Sequence, residues 1–224
     1  MFKLICFDLD GTLVDSVPDL AAAVNLMLAD LNRPTCSEDQ VRGWVGNGAP
    51  ILVQRALSGD ILVADDLDEA LFNDALSLFL QHYSANLFNF STLYPNVKET
   101  LTALQQGGYK LAIVTNKPIK QTLPVLKLAG LDGFFDLVLG GDSLAEKKPH
   151  PLPLQHCQQQ WQLSADQVLM VGDSENDILA AKAANFASFG LTYGYNYGVP
   201  ISASNPDYVA DDISELLTVL QLAQ

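Results

Sequence analysis

The sequence predicts an α/β protein: a doubly wound parallel sheet with a block of helices inserted after its first strand. Three observations lead there. From Leu93 onward, short apolar runs alternate with stretches of helical periodicity, and such alternation implies a parallel sheet covered by helices on both faces. Between Ser16 and Phe90 nothing reads as a strand, so that segment is an all-helical insert. The apolar runs Leu4–Phe7, 110–114 and 168–171 each stop at a polar cluster, and an open parallel sheet binds its ligands outside the carboxyl ends of its strands. The expected organisation is a Rossmann-like core from residues 1–15 and 91–224, with residues 16–90 as a helical cap.

The elements follow in order. Leu4-Ile5-Cys6-Phe7 is a short continuous apolar run, the signature of a buried strand, and Asp8-Leu9-Asp10-Gly11-Thr12 ends it. Val17 to Leu31 carries apolar residues at helical spacing. Ser37-Glu38-Asp39-Gln40 reads as a capping box that opens a second helix. Gly46-Asn47-Gly48-Ala49-Pro50 interrupts, Ile51 to Leu57 resumes helical periodicity, and Leu67 to Leu87 is a longer amphipathic stretch. In the second half, helices are expected over 97–106, 119–129, 153–161 and 175–184, with strands over 110–114, 137–139, 168–171 and, last, 186–191. Gly107-Gly108 and Gly130 stop two of these helices.

Composition narrows the function. Hydrophobic residues make up 49% of the 224, enough for a substantial core. The formal net charge of −14 repels phosphate backbones and anionic lipid, which argues against nucleic-acid and membrane-surface partners. No apolar run reaches membrane-spanning length, and the chain opens on a strand with no signal peptide. Cys6, Cys36 and Cys157 are odd in number and lack metal-ligand spacing, so they read as buried or free thiols of a reducing, cytoplasmic setting. A monomer or small homo-oligomer is expected.

The polar clusters set the chemistry. Two acids at a strand end could be a capped turn, but flanked by Phe7, Leu9 and Leu13 they suggest a divalent metal or a proton-transfer pair. Asp8, Asp10 and Asp173 form a hard, oxygen-only set that suits Mg²⁺ and a phosphate, and no His/Cys set offers a zinc alternative. Lys147-Lys148-Pro149 supplies positive charge. Thr115, Asn116 and the backbone of the Gly11-Thr12 turn offer donors for phosphoryl oxygens. A carboxylate beside Mg²⁺ can attack phosphorus while a second acid protonates the leaving oxygen, and Asp8 and Asp10 can divide these tasks. Asp173 and Asp177 could instead simply cap the helix they precede. Lys117 reads as a surface residue, His82, His150 and His156 as structural or solvent-facing, and Trp44 and Trp161 as packing.

Asp8-Leu9-Asp10-Gly11-Thr12, Thr115-Asn116, Lys148-Pro149 and Gly172-Asp173-Ser174-Glu175-Asn176-Asp177 resemble, in order and separation, the four motifs of haloacid-dehalogenase-superfamily phosphatases. The resemblance spans essentially the whole chain. It implies Asp8 as nucleophile and Asp10 as general acid/base, with the Asp10 backbone carbonyl on the metal. It implies Thr115 on the phosphoryl group, Lys148 bridging nucleophile and phosphate, and Asp173 as metal ligand. Asp177 would support the metal by direct or outer contact, and Lys147 leaves the lysine assignment open by one position. A dehalogenase is disfavoured by Asp10. A phosphonatase, which uses a cap lysine, is disfavoured because residues 16–90 contain no lysine. A mutase similar to β-phosphoglucomutase, or a non-catalytic phosphate-binding protein, stays open.

Two further stretches, 44–49 and 190–198, look like those of bacterial phosphoglycolate phosphatases. The implied substrate is a small anionic phosphomonoester. Asn47, in a glycine-flanked turn before a helix, is then a candidate for anion binding, and Arg55 or Arg42 a candidate for the substrate carboxylate.

Overall fold

The computed structural model describes residues 1–222. The chain opens with strand β1 (Leu4–Phe7), turns tightly, and forms the two-residue strand β2 (Val14–Asp15). Four helices follow: α1 (Val17–Asp30), α2 (Glu38–Arg42), α3 (Ala49–Ser58) and α4 (Glu69–Ala85). The short strand β3 (Thr92–Leu93) then pairs antiparallel with β2, so the chain leaves and re-enters the sheet region through one small ribbon. The remainder alternates: α5 (Val97–Gln106), β4 (Lys110–Val114), α6 (Ile119–Leu128), β5 (Leu137–Leu139), α7 (Leu152–Gln160), β6 (Val168–Gly172), α8 (Glu175–Ala184), β7 (Ala187–Leu191), β8 (Tyr208–Ala210) and α9 (Glu215–Val219).

Among the described residues the main sheet has six strands in the order β5-β4-β1-β6-β7-β8, every pair parallel. Strand β1 lies between β4 and β6, so the chain builds outward from it in both directions and creates a crevice at its carboxyl end. Side chains of β1 alternate faces: Ile5 and Phe7 join the core under α5, α6 and α9, while Leu4 and Cys6 join the core under α7 and α8. Burial on both faces explains why the strand reads as a continuous apolar run and not as an alternating one.

Helices α1 to α4 pack around a separate apolar centre that includes Met27, Trp44, Val53 and Phe79. Each buried side chain of this kind contributes about 1.5–3 kcal/mol. Local chemistry starts these helices: the Ser37–Gln40 capping box closes at the head of α2 as read, and the structure adds an Asp68 cap, which accepts from the Leu71 N–H at the head of α4. One residue from the other half of the molecule, Tyr195, completes this centre.

One expectation needs correction. The strand at 187–191 is not the last, because β8 pairs beside it as the sheet edge. Strand β8, the β2–β3 ribbon and α9 are too short for periodicity to reveal. Cys6 and Cys157 are buried free thiols in one core cluster, and Cys36 is half-buried. Trp44 packs inside the helical unit, and Trp161 packs against the α7–α8 face of the sheet. No helix among the described residues is long and apolar enough to cross a membrane.

Candidate active site

Asp8 leaves the end of β1 while its N–H still bonds Val171 of β6 at 3.0 Å, which anchors the residue to the sheet. The next residues fold into a turn in which the N–H groups of Thr12, Leu13 and Val14 all converge on the Leu9 carbonyl. Gly11, at φ +91°, is required here: a β-carbon on it would sit 2.3 Å from Asp173 Oδ2. Strand β6 delivers Asp173 to the same place. Its Oδ1 accepts from the Thr12 hydroxyl at 2.6 Å and its Oδ2 from the Tyr195 N–H at 2.6 Å. A β-carbon on Gly194 would overlap Asp173, at 2.2 Å from Oδ2, so the loop after β7 presses directly on this carboxylate.

Asp177, fully buried in the first turn of α8, does two jobs. Its Oδ2 accepts from the Ser174 N–H and hydroxyl at 3.1 Å, the helix cap anticipated from sequence, and its Oδ1 accepts from Lys148 Nζ at 2.6 Å. Lys148 Nζ also lies 3.0 Å from Asp8 Oδ1. That second contact is a charge contact without hydrogen-bond geometry, and Asp8 Oδ1 is otherwise buried without a partner. Lys147, half-buried, instead donates to the Asn47 carbonyl at 2.7 Å. The lysine between the carboxylates is therefore Lys148.

Asp8, Asp173 and Asp177 each offer an oxygen, all within 4.8 Å of one another. Burial pushes the Asp8 carboxyl up to about 6, with Lys148 pulling it down and Asp177 and Asp10 pushing it further. Burial, then Asp177 and Asp8, push Asp173 well above the usual carboxylate range. The site is thus a crowded set of hard oxygen donors with one buried oxygen lacking a hydrogen bond. Those features fit a small divalent cation such as Mg²⁺, whose charge would relieve the repulsion.

Asp10 is placed differently. Its carboxylate accepts from Lys117 Nζ at 3.0 Å on both oxygens, so its side chain stands apart from the cluster of three carboxylates. This corrects the reading of Lys117 as a surface residue. Its side chain is 3% exposed, it also donates to the Tyr83 hydroxyl of α4 at 2.5 Å, and it lies 4.5 Å from that ring's centroid. A lysine two residues beyond a strand end looks like a solvated loop in sequence. Only the descent of α4 onto this strand end buries it.

Asp8, Asp10, Thr115, Asn116 and Lys117 line one cavity of about 40 Å³, closed from above by Leu20, Leu52, Phe79 and Tyr83 of the helical unit. Asn116 donates to the carbonyls of Gly46 and Lys148 at 3.0 and 2.9 Å, tying the strand end to the turn before α3.

The arginines are not in the cavity. Arg42 pairs with Asp15 at 3.1 Å and Glu38 at 3.0 Å, over the Tyr195 ring. Arg55 donates to the carbonyls of Trp44 and Ile61, over the Tyr197 ring. Asn47 is likewise engaged, accepting from the Tyr197 hydroxyl at 2.8 Å. In this structure all three therefore have polar atoms engaged by the protein away from the cavity: Arg42 and Arg55 through their guanidinium groups, Asn47 through its side-chain oxygen.

The tyrosine-rich loop after β7 was noticed only for its resemblance, and its bonds give it a physical role. Tyr193 donates to the Thr12 carbonyl at 2.8 Å, and Tyr195 donates to Asp15 Oδ1 at 2.5 Å while accepting from the Ser16 N–H at 2.9 Å. Tyr197 accepts from Asn176 at 3.0 Å. One loop therefore braces the turn after β1, the ribbon at the start of α1, and the tip of the helical unit at Asn47.

A sequence model of haloacid dehalogenase-like hydrolases matches residues 5–191. The chain belongs to that family. It is 52% identical over 219 residues to a phosphoglycolate phosphatase of Colwellia psychrerythraea, covering 98% of this chain and 97% of that one. It is 53% identical to a phosphoglycolate phosphatase of Vibrio parahaemolyticus, covering 99% and 97%. The crystal structure of a predicted phosphoglycolate phosphatase from Haemophilus somnus superposes with a TM-score of 0.93 at 51% identity, covering 98% of each chain. A structure from Lactobacillus delbrueckii at 23% identity superposes at 0.89, a likeness of fold. The haloacid dehalogenase-like assignment accounts for the parallel sheet, the helical cap and the site at the end of β1 together.

Proposed function

We propose that this protein is a Mg²⁺-dependent phosphomonoesterase that hydrolyses 2-phosphoglycolate to glycolate and phosphate. The observation that carries the reading is the convergence of Asp8, Asp10 and Thr115 on one small cavity, with Lys148 behind the first. Full-length similarity to proteins named phosphoglycolate phosphatase supports the substrate.

The Asp8 carboxylate attacks phosphorus, the ester P–O bond breaks, and Asp10 gives its proton to the departing glycolate oxygen. Water then attacks the aspartyl phosphate, Asp10 takes the proton, and the Asp8 carboxylate is regenerated. The Thr115 hydroxyl donates to the phosphoryl oxygens and Lys148 offsets charge between nucleophile and phosphate; the Asn116 amide and the Gly11 and Thr12 N–H groups, expected to share that task, are engaged instead with the carbonyls of Gly46, Lys148, Val14 and Leu9. Asp8, Asp173 and Asp177, with the Asp10 carbonyl, would hold Mg²⁺, which when bound neutralises charge on the carboxylates and the phosphoryl group. Residues 16–90 act as a cap over a core of residues 1–15 and 91–224, excluding water from the first step.

A panel of phosphomonoesters with Mg²⁺ tests the reading. Phosphoglycolate should be preferred, with glycolate and phosphate as products, and a preference for hexose phosphates or pyrophosphate would overturn the substrate. Asp8→Asn should abolish turnover without unfolding the protein, and activity within about tenfold of wild type would remove Asp8 as nucleophile.

A further inference from the structure

Besides Asp8, Asp10, Thr115 and Asn116, the cavity is lined by three polar side chains: Lys117 and Gln121 from the segment after β4, and Tyr83 from α4. Much of the surrounding wall is apolar, including Leu20, Leu52 and Phe79. Of the other cations near the site, Lys148 sits between Asp8 and Asp177, Lys147 is bound to Asn47, and Arg42 and Arg55 are tied outside the cavity. Lys117, itself paired with Asp10, is then the cation lining this cavity, and Gln121 and Tyr83 are the polar side chains beside it that a ligand with its phosphate at Asp8 can reach.

All three can donate, and two hold donor capacity the protein does not use. Tyr83 accepts from Lys117, and among the described residues its own O–H has no recorded acceptor. Burial pushes this phenol up to about 12, so it stays protonated. Gln121 is 4% exposed, donates to Ser84 Oγ at 3.0 Å, and leaves Oε1 buried without a partner. The Ser84 hydroxyl can donate as well as accept. A half-turn of the amide would satisfy Oε1 and free the NH₂ group for a ligand. A buried carbonyl without a partner costs about 1–3 kcal/mol, so an anion that draws out this rotation also removes that cost.

We propose that Lys117, Tyr83 and Gln121 form the subsite that receives the substrate's carboxylate. The inference rests on the phosphoglycolate reading above and locates its selectivity. Thr115, Lys117 and Gln121 belong to one short segment, so phosphate and carboxylate are read from a single rigid strand-to-helix junction, with the cap contributing Tyr83. The junction acts as a ruler for a two-carbon chain.

Lys117 also holds Asp10, so its removal alone would mix recognition with placement of the acid. The test is therefore the ratio of kcat/KM for phosphoglycolate to that for ethyl phosphate, which has the same two carbons and no carboxylate. Gln121→Leu and Tyr83→Phe, neither touching Asp10, should each lower this ratio about tenfold, and Lys117→Met by more. Binding gives a second readout free of turnover. Calorimetry with Mg²⁺ should show 3-phosphonopropionate losing affinity relative to propylphosphonate in the same variants. Retention of the wild-type ratio in folded Gln121→Leu and Tyr83→Phe overturns the subsite and leaves the phosphoglycolate reading intact. An equal fall on both esters shows a merely structural role and also overturns it. A wild-type enzyme that does not distinguish the two esters overturns the subsite and the phosphoglycolate reading together.

Discussion

Lys148→Met makes the sharpest test of the site's electrostatics. Lys148 is 2% exposed, and its ammonium lies 2.6 Å from Asp177 Oδ1 and 3.0 Å from Asp8 Oδ1. Methionine keeps most of the volume but strands two buried carboxylates. Removing one partner of a buried ion pair costs about 3–5 kcal/mol, mostly through the charge left behind. For a chain of this size that lowers the melting temperature by about 6–20 °C. The loss must depend on pH in a definite direction. Burial already holds Asp8 at about 6, above its ordinary 3.8, and Lys148 is the group pulling it down. Without Lys148 the folded-state value rises further, so the folded protein binds a proton that the unfolded chain has released. An acid with a raised folded value destabilises the fold above that value, and the destabilisation disappears as pH falls. The deficit of Lys148→Met relative to wild type should be largest at pH 7.5 and shrink toward pH 5, by about 1.4 kcal/mol per pH unit for each proton involved. Urea unfolding in the presence of EDTA at several pH values measures it. A deficit under about 1 kcal/mol at pH 7.5, or one that does not shrink on acidification, would refute the reasoning.

Two other outcomes are expected. Mg²⁺ at a hundred times its dissociation constant should stabilise the wild type by about 2.7 kcal/mol. Asp173→Asn should respond little to Mg²⁺, yet in EDTA it should stay close to wild type in stability, since the relief of a charge disfavoured by burial and by Asp177 and Asp8 offsets the loss of one of its two hydrogen bonds, from Thr12 or the Tyr195 N–H. Thermal melts with and without the ion decide this, and a full Mg²⁺ response in the variant would remove Asp173 from the metal set. Arg55→Ala should cost about 1–3 kcal/mol of stability through its lost bonds to Trp44 and Ile61. Its kcat/KM on phosphoglycolate should stay within about threefold of wild type, and a collapse driven by KM would return Arg55 to substrate recognition.

Most of the fold was legible in the chain because buried parallel strands and amphipathic helices carry strong, local patterns. Leu4–Phe7, 110–114 and 168–171 could be little else, and the polar residues stopping them had to share an edge of the sheet. Asp8, Asp173, Asp177 and Lys148 could be grouped because each follows or faces a strand end. The same logic misjudged side chains whose fate is set across the interface between the two halves. Arg42 and Arg55 had the right charge and the right segment, but Asp15 and the Trp44 carbonyl claim them first. Lys117 had a surface residue's setting until α4 covered it.

The sequence alone determined the order of the longer strands and helices, the family, and the set of acids that gather at the end of β1, since all of these follow from local periodicity and motif spacing. The tertiary structure decided which cation faces the cavity, how Asp10 is held, and why a tyrosine-rich loop after β7 matters to a turn at the start of the chain. Those outcomes depend on contacts such as Lys117 with Tyr83 and Tyr195 with Asp15, between residues 34 and 180 positions apart. Competition among nearby partners for one buried charge is settled by distance in space, and no spacing along the chain encodes it.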